Sequence, residues 1–168
     1  MTEPVRILFV CLGNICRSPT VEGVFRAHAE KAGWDAMFEV DSAGTSDAHS
    51  GKSPDHRSQE HAKERGYDIS SLRARQVNTD DFERFDYIFA MDSKVLTDLQ
   101  QLQTLSSQPK AELALFLDYV DGRAGQDVPD PYYSGAAAFD HVLDLVDEGS
   151  VALLRFLLKK QGVFGCSC

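Results

Sequence analysis

A chain of 168 residues, 43% of them hydrophobic, is long enough to bury one core of ordinary size. Its formal net charge of −9 argues against nucleic acid and anionic membrane as partners, so any anionic ligand must be met by a local positive site. No apolar run reaches the roughly 18 residues of a membrane span, and Met1-Thr2-Glu3-Pro4 opens no charged-then-apolar leader, so the expectation is one cytoplasmic domain over 1–168.

Strand-like runs are read at Arg6–Val10, Phe38–Asp41, Tyr87–Met91 and Leu113–Leu117. Helical patterns lie between and after them. The first runs from Pro19 to about Gly33 and the second from about Asp55 to Arg65, stopping at Gly66. A third starts near Thr79, read as its N-cap, and a fourth follows Ser93 to about Leu102. The last spans about Ala137 to Lys160. Strands alternating with helices imply an α/β fold: a doubly wound domain with a small parallel sheet of about four strands, covered by helices on both faces. Ligand sites in such sheets lie beyond the carboxyl ends of the strands. Cys11, Ser42 and Asp92 are all read at such ends.

The first strand delivers Cys11 into Leu12-Gly13-Asn14-Ile15-Cys16-Arg17-Ser18, and Pro19 then opens a helix. A thiolate is the reactive form of cysteine, and a helix N-terminus with a nearby cation favours it. Arg17 supplies the cation. The backbone N–H groups of Leu12, Gly13, Asn14, Ile15, Cys16 and Arg17 are expected to curl into an anion-binding nest, with Gly13 allowing the turn. The Arg17 fork suits two oxygens of a phosphate. Ser18 is read as the helix N-cap, with a hydroxyl able to face the sulfur.

The stretch from Asp118 to Ala136 has no clear period and carries Val128-Pro129-Asp130-Pro131-Tyr132-Tyr133. The prolines hold the backbone extended around Asp130, so an ordered loop presenting Asp130 and Tyr132 is expected. Asp130 is the candidate acid for a leaving oxygen. Histidine would be the usual alternative, but His28, His56, His61 and His141 all fall on helical segments.

The segment Val10-Cys11-Leu12-Gly13-Asn14-Ile15-Cys16-Arg17-Ser18-Pro19 resembles the signature of the low-molecular-weight protein tyrosine phosphatases. Asp41-Ser42-Ala43-Gly44-Thr45, Arg73-Ala74-Arg75-Gln76, Met91-Asp92 and Asp130-Pro131-Tyr132-Tyr133 continue the resemblance along nearly the whole chain. It implies that Cys11 attacks phosphorus, Arg17 holds the equatorial oxygens, and Asp130 protonates the leaving phenolate and then activates water. It further implies that Ser18 stabilises the thiolate, that Asn14 and Ser42 shape the loop, and that Tyr132 walls the phenyl cleft. Asp92 reads equally well as a residue near the site or as a helix cap. Neither a metal nor a cofactor is expected. The implied partners are a phosphotyrosine-containing protein and, as competitive ligands, inorganic phosphate or other oxyanions; a monomer is expected.

The chain departs from its resemblance at two places. Ala48 stands where relatives often carry an aromatic wall, so that wall is missing or is supplied by His49. Leu72 stands where relatives commonly carry a histidine. Cys16 reads either as a buried thiol or as a partner for a reversible disulfide with Cys11. The four cysteines, Cys11, Cys16, Cys166 and Cys168, do not suit a zinc site, because Cys166-Ser167-Cys168 is too close for a ligand pair and Cys11 is needed at a strand end. An alternative activity, thiol-dependent arsenate reduction on the same fold, would need a resolving pair downstream. Only Cys166 and Cys168, on an expected mobile tail at about 165–168, are available for it.

Overall fold

The structure is a computed structural model and describes residues 3–163. The expected tail with Cys166 and Cys168 lies outside the described residues. Four strands form one all-parallel sheet: β1 (Val5–Cys11), β2 (Phe38–Gly44), β3 (Tyr87–Ala90) and β4 (Glu112–Leu115), in the order β2-β1-β3-β4. Helices α1 (Arg17–Lys31), α2 (His56–Glu64), α3 (Asp81–Arg84), α4 (Ser93–Gln103) and α5 (Ala136–Lys160) fill the connections and follow the sheet. This is the expected doubly wound architecture.

Residue alternation along β1 sorts the two faces of the sheet. Ile7, Phe9 and Cys11 join Val21, Val24 and Phe25 of α1 and Leu143, Val146 and Leu157 of α5. Leu8 and Val10 join Phe82, Phe85, Ile88, Val95 and Leu99 on the opposite face. Phe9 centres the larger cluster, with ring centroids 5.7 Å from Phe25 and 5.9 Å from both Phe89 and Phe116. Gly149 lets α5 approach, since a Cβ there would stand 2.4 Å from the Phe116 ring.

Several boundaries differ from the sequence reading. β2 continues to Gly44 because Cys11 pairs with Gly44 in the parallel register, which places Ser42 inside the strand. β4 ends at Leu115, and Phe116–Tyr119 form a 3-10 turn that packs Phe116 into the core. The third helix is only four residues long and follows Asp80, not Thr79. Its entry is organised by Asn78, whose Oδ1 accepts from Asp80 N and whose N–H donates to Asp81 Oδ2.

Candidate active site

Cys11 ends β1 and Arg17 begins α1, so the loop between them is closed by two regular elements. Cys16, not Ser18, is the N-cap residue of α1, and no side chain caps that end. The first-turn N–H groups therefore face the loop without a side-chain partner, as anion binding requires. Ser18 lies within the first turn, where its hydroxyl stands 3.0 Å from Cys11 Sγ. Asn14 N–H donates to the same sulfur at 3.3 Å.

The left-handed residue of the loop is Asn14, with φ 56°, and not Gly13. Asparagine tolerates that conformation when its short amide is held locally. Here Asn14 Nδ2 donates to Ser18 Oγ at 2.8 Å and to Ser42 Oγ at 3.0 Å, while its Oδ1 accepts from Arg75 N at 3.0 Å. Gly13 instead leaves room for a neighbour: a Cβ there would lie 3.0 Å from His49 Cδ2. Gly44 is needed for close approach, because its Cβ would stand 2.7 Å from Leu12 O and 3.1 Å from Asn14 N.

Behind the loop lies a buried polar network that sequence reasoning did not find. Ser42 Oγ donates to Glu22 Oε1 at 2.7 Å, and Arg26 Nη2 reaches Glu22 Oε2 at 2.9 Å. Burial raises the Glu22 pKa, against the pull of the Ser42 hydroxyl and Arg26. A carboxylate only accepts, so it turns the Ser42 hydroxyl towards itself and leaves the Ser42 lone pairs for Asn14. Arg75 donates its Nε to Asp41 at 3.1 Å and grips Asp81 with both terminal nitrogens at 3.0 and 3.1 Å. Leu72, at the expected histidine position, packs against the larger core cluster.

Arg17 is 3% exposed. Its Nη1 donates to Asp92 Oδ2 at 2.6 Å and to Val128 O at 3.0 Å. Its Nη2 stands 3.7 Å from Asp130 Oδ2. Burial works against the guanidinium charge, but Cys11, Asp92 and Asp130 outweigh it and hold the Arg17 pKa above its ordinary value. Asp92 fills both roles that the sequence left open: Oδ2 binds Arg17, and Oδ1 accepts from Val95 N at 2.8 Å, capping α4. Asp127 receives Ser93 N and Oγ and so ties the Asp130 loop to the start of α4.

These groups line a cleft of about 160 Å³. Cys11, Ile15, Cys16 and Arg17 lie at its base, and Asp130, Tyr132 and Tyr133 come from the opposing loop. Tyr132 N donates to Asp130 Oδ1 at 3.0 Å, and its carbonyl accepts from Arg57 at 2.9 Å. Arg57 also lies 5.6 Å over the Tyr132 ring and 4.6 Å over Phe139. Arg57 was not legible in the sequence; its only signal is its place in the first turn of α2. Ala48 is on the rim, and His49 faces Tyr132 with ring centroids 6.2 Å apart. The place opposite Tyr132 is thus taken by an imidazole.

The two cysteines differ in surroundings. Cys16 is 5% exposed, and burial pushes its thiol up to about 12, with Asp55, Cys11 and Asp130 acting in the same direction and Ser58 against it. Cys11 has Ser18, Asn14 N–H and Arg17 about it instead. Both are free thiols.

A parallel α/β sheet that sets a thiol against an uncapped helix N-terminus and a buried guanidinium defines the class of cysteine-dependent enzymes acting on oxyanions. Within that class, the chain belongs to the low molecular weight phosphotyrosine protein phosphatase family, whose family model matches residues 6–163. It is 43% identical over 156 residues to a putative low molecular weight protein-tyrosine-phosphatase of Synechocystis, covering 93% of this chain and 98% of that one. It is 46% identical over 149 residues to the low molecular weight phosphotyrosine protein phosphatase of Schizosaccharomyces pombe, covering 88% and 94%. A crystal structure of a protein tyrosine phosphatase from Entamoeba histolytica with Hepes in its active site superposes with a TM-score of 0.86 at 35% identity, covering 94% and 99%. Members of this family are hydrolases, and arsenate reduction is not the favoured reading. Among the described residues no helix is long and apolar enough to cross a membrane.

Proposed function

We propose that this protein hydrolyses phosphotyrosine and aryl phosphate monoesters through a cysteinyl-phosphate on Cys11. The observation that carries the reading is the setting of Cys11 Sγ, 3.0 Å from Ser18 Oγ and 3.3 Å from Asn14 N at the mouth of the uncapped helix. The phosphate dianion sits on the N–H groups of Leu12, Gly13, Asn14, Ile15, Cys16 and Arg17, with the Arg17 fork on two of its oxygens. The Cys11 thiolate attacks phosphorus, the S–P bond forms and the P–O bond to the phenol breaks. Asp130 gives its proton to the leaving phenolate. Its carboxylate then takes a proton from water, which attacks phosphorus, and inorganic phosphate and the thiolate are released. Charge on the equatorial oxygens grows against donors already in place, so the transition state gains more than the ground state.

Arg17 is held to this task by Asp92 and Val128, and Ser18, Asn14 and Ser42 hold the loop's shape. Tyr132 and His49 flank the phenyl ring. The substrate is a phosphoprotein, and inorganic phosphate and other oxyanions compete for the cleft. Free Cys11 and Cys16 suit a reducing cytoplasm, and the chain works as a monomer, with neither metal nor cofactor. Two variants test the reading. Cys11→Ser should abolish turnover of para-nitrophenyl phosphate and keep phosphate affinity. Asp130→Asn should slow poor leaving groups by about 10²–10⁴ and spare activated aryl esters more. Unchanged rates on every ester in Asp130→Asn would remove Asp130 from the mechanism.

A further inference from the structure

Among the described residues, three large apolar side chains are exposed: Leu12 at 51%, Leu105 at 72% and Tyr133 at 95%. Two of them, Leu12 and Tyr133, stand on the rim of the catalytic cleft. An apolar side chain at the mouth of a site for a charged group has no use for the phosphate itself. It suits the rest of the molecule that carries the phosphate.

The two sides of the rim are unequal. On the Leu12 side a groove of about 450 Å³ continues away from the cleft, and Leu12 and Ser46 line both depressions. Val77 and Leu99 give it a buried apolar base, and Leu102 and Asp98 of α4 form its outer wall. The groove is preformed. Ser46 N–H donates to Leu12 O at 3.0 Å, Val77 N–H to Gly44 O at 2.8 Å, and Gln76 Nε2 to Thr45 O at 3.1 Å. The α4 wall is anchored by Asp92, which also binds Arg17. The groove is therefore fixed relative to the nucleophile's own loop. Asp98 carries the one carboxylate on its lining and is shared with Lys94 at 3.0 Å.

We infer that this groove is a second substrate subsite. It receives a bulky aliphatic side chain beside the phosphotyrosine of a polypeptide, and its apolar base gives an acidic residue at that place nothing to pair with. The inference rests on the phosphatase reading and narrows its substrate class. A phosphotyrosine seated in the cleft brings its backbone to the rim, and a chain leaving over Leu12 lays its next side chains on Val77, Leu99 and Leu102. A free aryl phosphate ends at the rim and gains nothing from the groove.

The test is a comparison of kcat/KM on short phosphotyrosyl peptides. Leu, Ala or Glu is placed in turn at each of the two positions on either side of the phosphotyrosine, with para-nitrophenyl phosphate as the reference. At one or more positions Leu should exceed Ala by about fivefold, the share expected for burying part of an aliphatic side chain, and Glu should be the poorest. Leu102→Ser should shrink the Leu preference, and the surface change Asp98→Lys should relieve the penalty on Glu. Both variants should turn over para-nitrophenyl phosphate at the wild-type rate. Equal kcat/KM for Leu, Ala and Glu at every position in the wild-type protein would overturn the subsite, as would preferences that persist unaltered in Asp98→Lys and Leu102→Ser. Failure of the wild-type protein to hydrolyse para-nitrophenyl phosphate would instead overturn the phosphatase reading.

Discussion

Asp92 holds Arg17 at 2.6 Å with one carboxylate oxygen while the other caps α4 at Val95 N. One side chain thus fixes the direction of the buried guanidinium and starts the helix that walls the neighbouring groove. The two jobs separate by substitution. Asp92→Asn keeps an oxygen for the cap but withdraws the charge beside the buried Arg17, and Asp92→Ala withdraws both, so Asp92→Ala should be less stable than Asp92→Asn by about 1 kcal/mol, the share of the cap. Both should lower kcat/KM on aryl phosphates, because neither offers Arg17 a charged partner. Full activity in Asp92→Asn, measured beside its melting curve, would show that the ion pair does not orient Arg17.

Asn14 couples conformation to chemistry, since its φ of 56° is tolerated by few side chains and its amide makes contacts to Ser18, Ser42 and Arg75. Asn14→Ala adds about 1 kcal/mol of backbone strain to the loss of those bonds. Asn14→Gly removes the strain and loses the same bonds. The expected order of stability is wild type, then Gly, then Ala, with turnover strongly reduced in both variants. Denaturant titration and steady-state kinetics on the three proteins check it; wild-type turnover in Asn14→Gly would mean that the amide bonds do not shape the site.

Cys16 sets an alkaline limit. Its thiol is pushed by burial from an ordinary 9.0 up to about 12 in the folded protein. Between those values the unfolded chain binds fewer protons than the folded one, so stability falls as pH rises through that window and is fully present below it. Replacing Cys16 by Ala should remove this part of the decline, an effect of order a few kcal/mol across the window. Urea unfolding of both proteins at pH 8 and near pH 11 measures it. Parallel losses in wild type and Cys16→Ala would assign the alkaline sensitivity elsewhere, for example to Tyr119, which burial and nearby Asp118 also push up to about 12.

Ala48 puts no aromatic ring on its side of the rim, where His49 faces Tyr132. Ala48→Trp should add a stacking surface worth about 0.5–1.5 kcal/mol and lower KM for aryl phosphates by up to about tenfold, with kcat little changed. An unaltered KM would show that His49 and Tyr132 already close the cleft.

Residues joined by short stretches of chain were legible before the structure. Cys11 and Arg17 are set by one strand end and one helix start, and Asp130 is flagged by the prolines on either side of it. The four-strand sheet followed from strands and helices that alternate. Long-range pairs left little trace. Asn14 meets Arg75 across 61 residues, and Arg17 meets Asp92 across 75. Glu22 reads as an ordinary helical glutamate until β2 brings Ser42 against it. Residue-type rules also misled where two residues compete for one job. Glycine is the usual left-handed residue, yet Asn14 takes that place because its amide is bonded there, and Gly13 makes space for His49. Serine is a common N-cap, yet Cys16 takes that place and Ser18 lies within the first turn, where it faces Cys11.

The most direct measurement is acid quenching of the enzyme during turnover of a phosphotyrosyl peptide, followed by mass spectrometry with the modified residue located by fragmentation. A phosphoryl group on the sulfur of Cys11, enriched in Asp130→Asn on an activated aryl ester and missing in Cys11→Ser, is the expected result. Turnover with no phosphoryl group on Cys11, or with the group on another residue, would contradict a mechanism built on that sulfur.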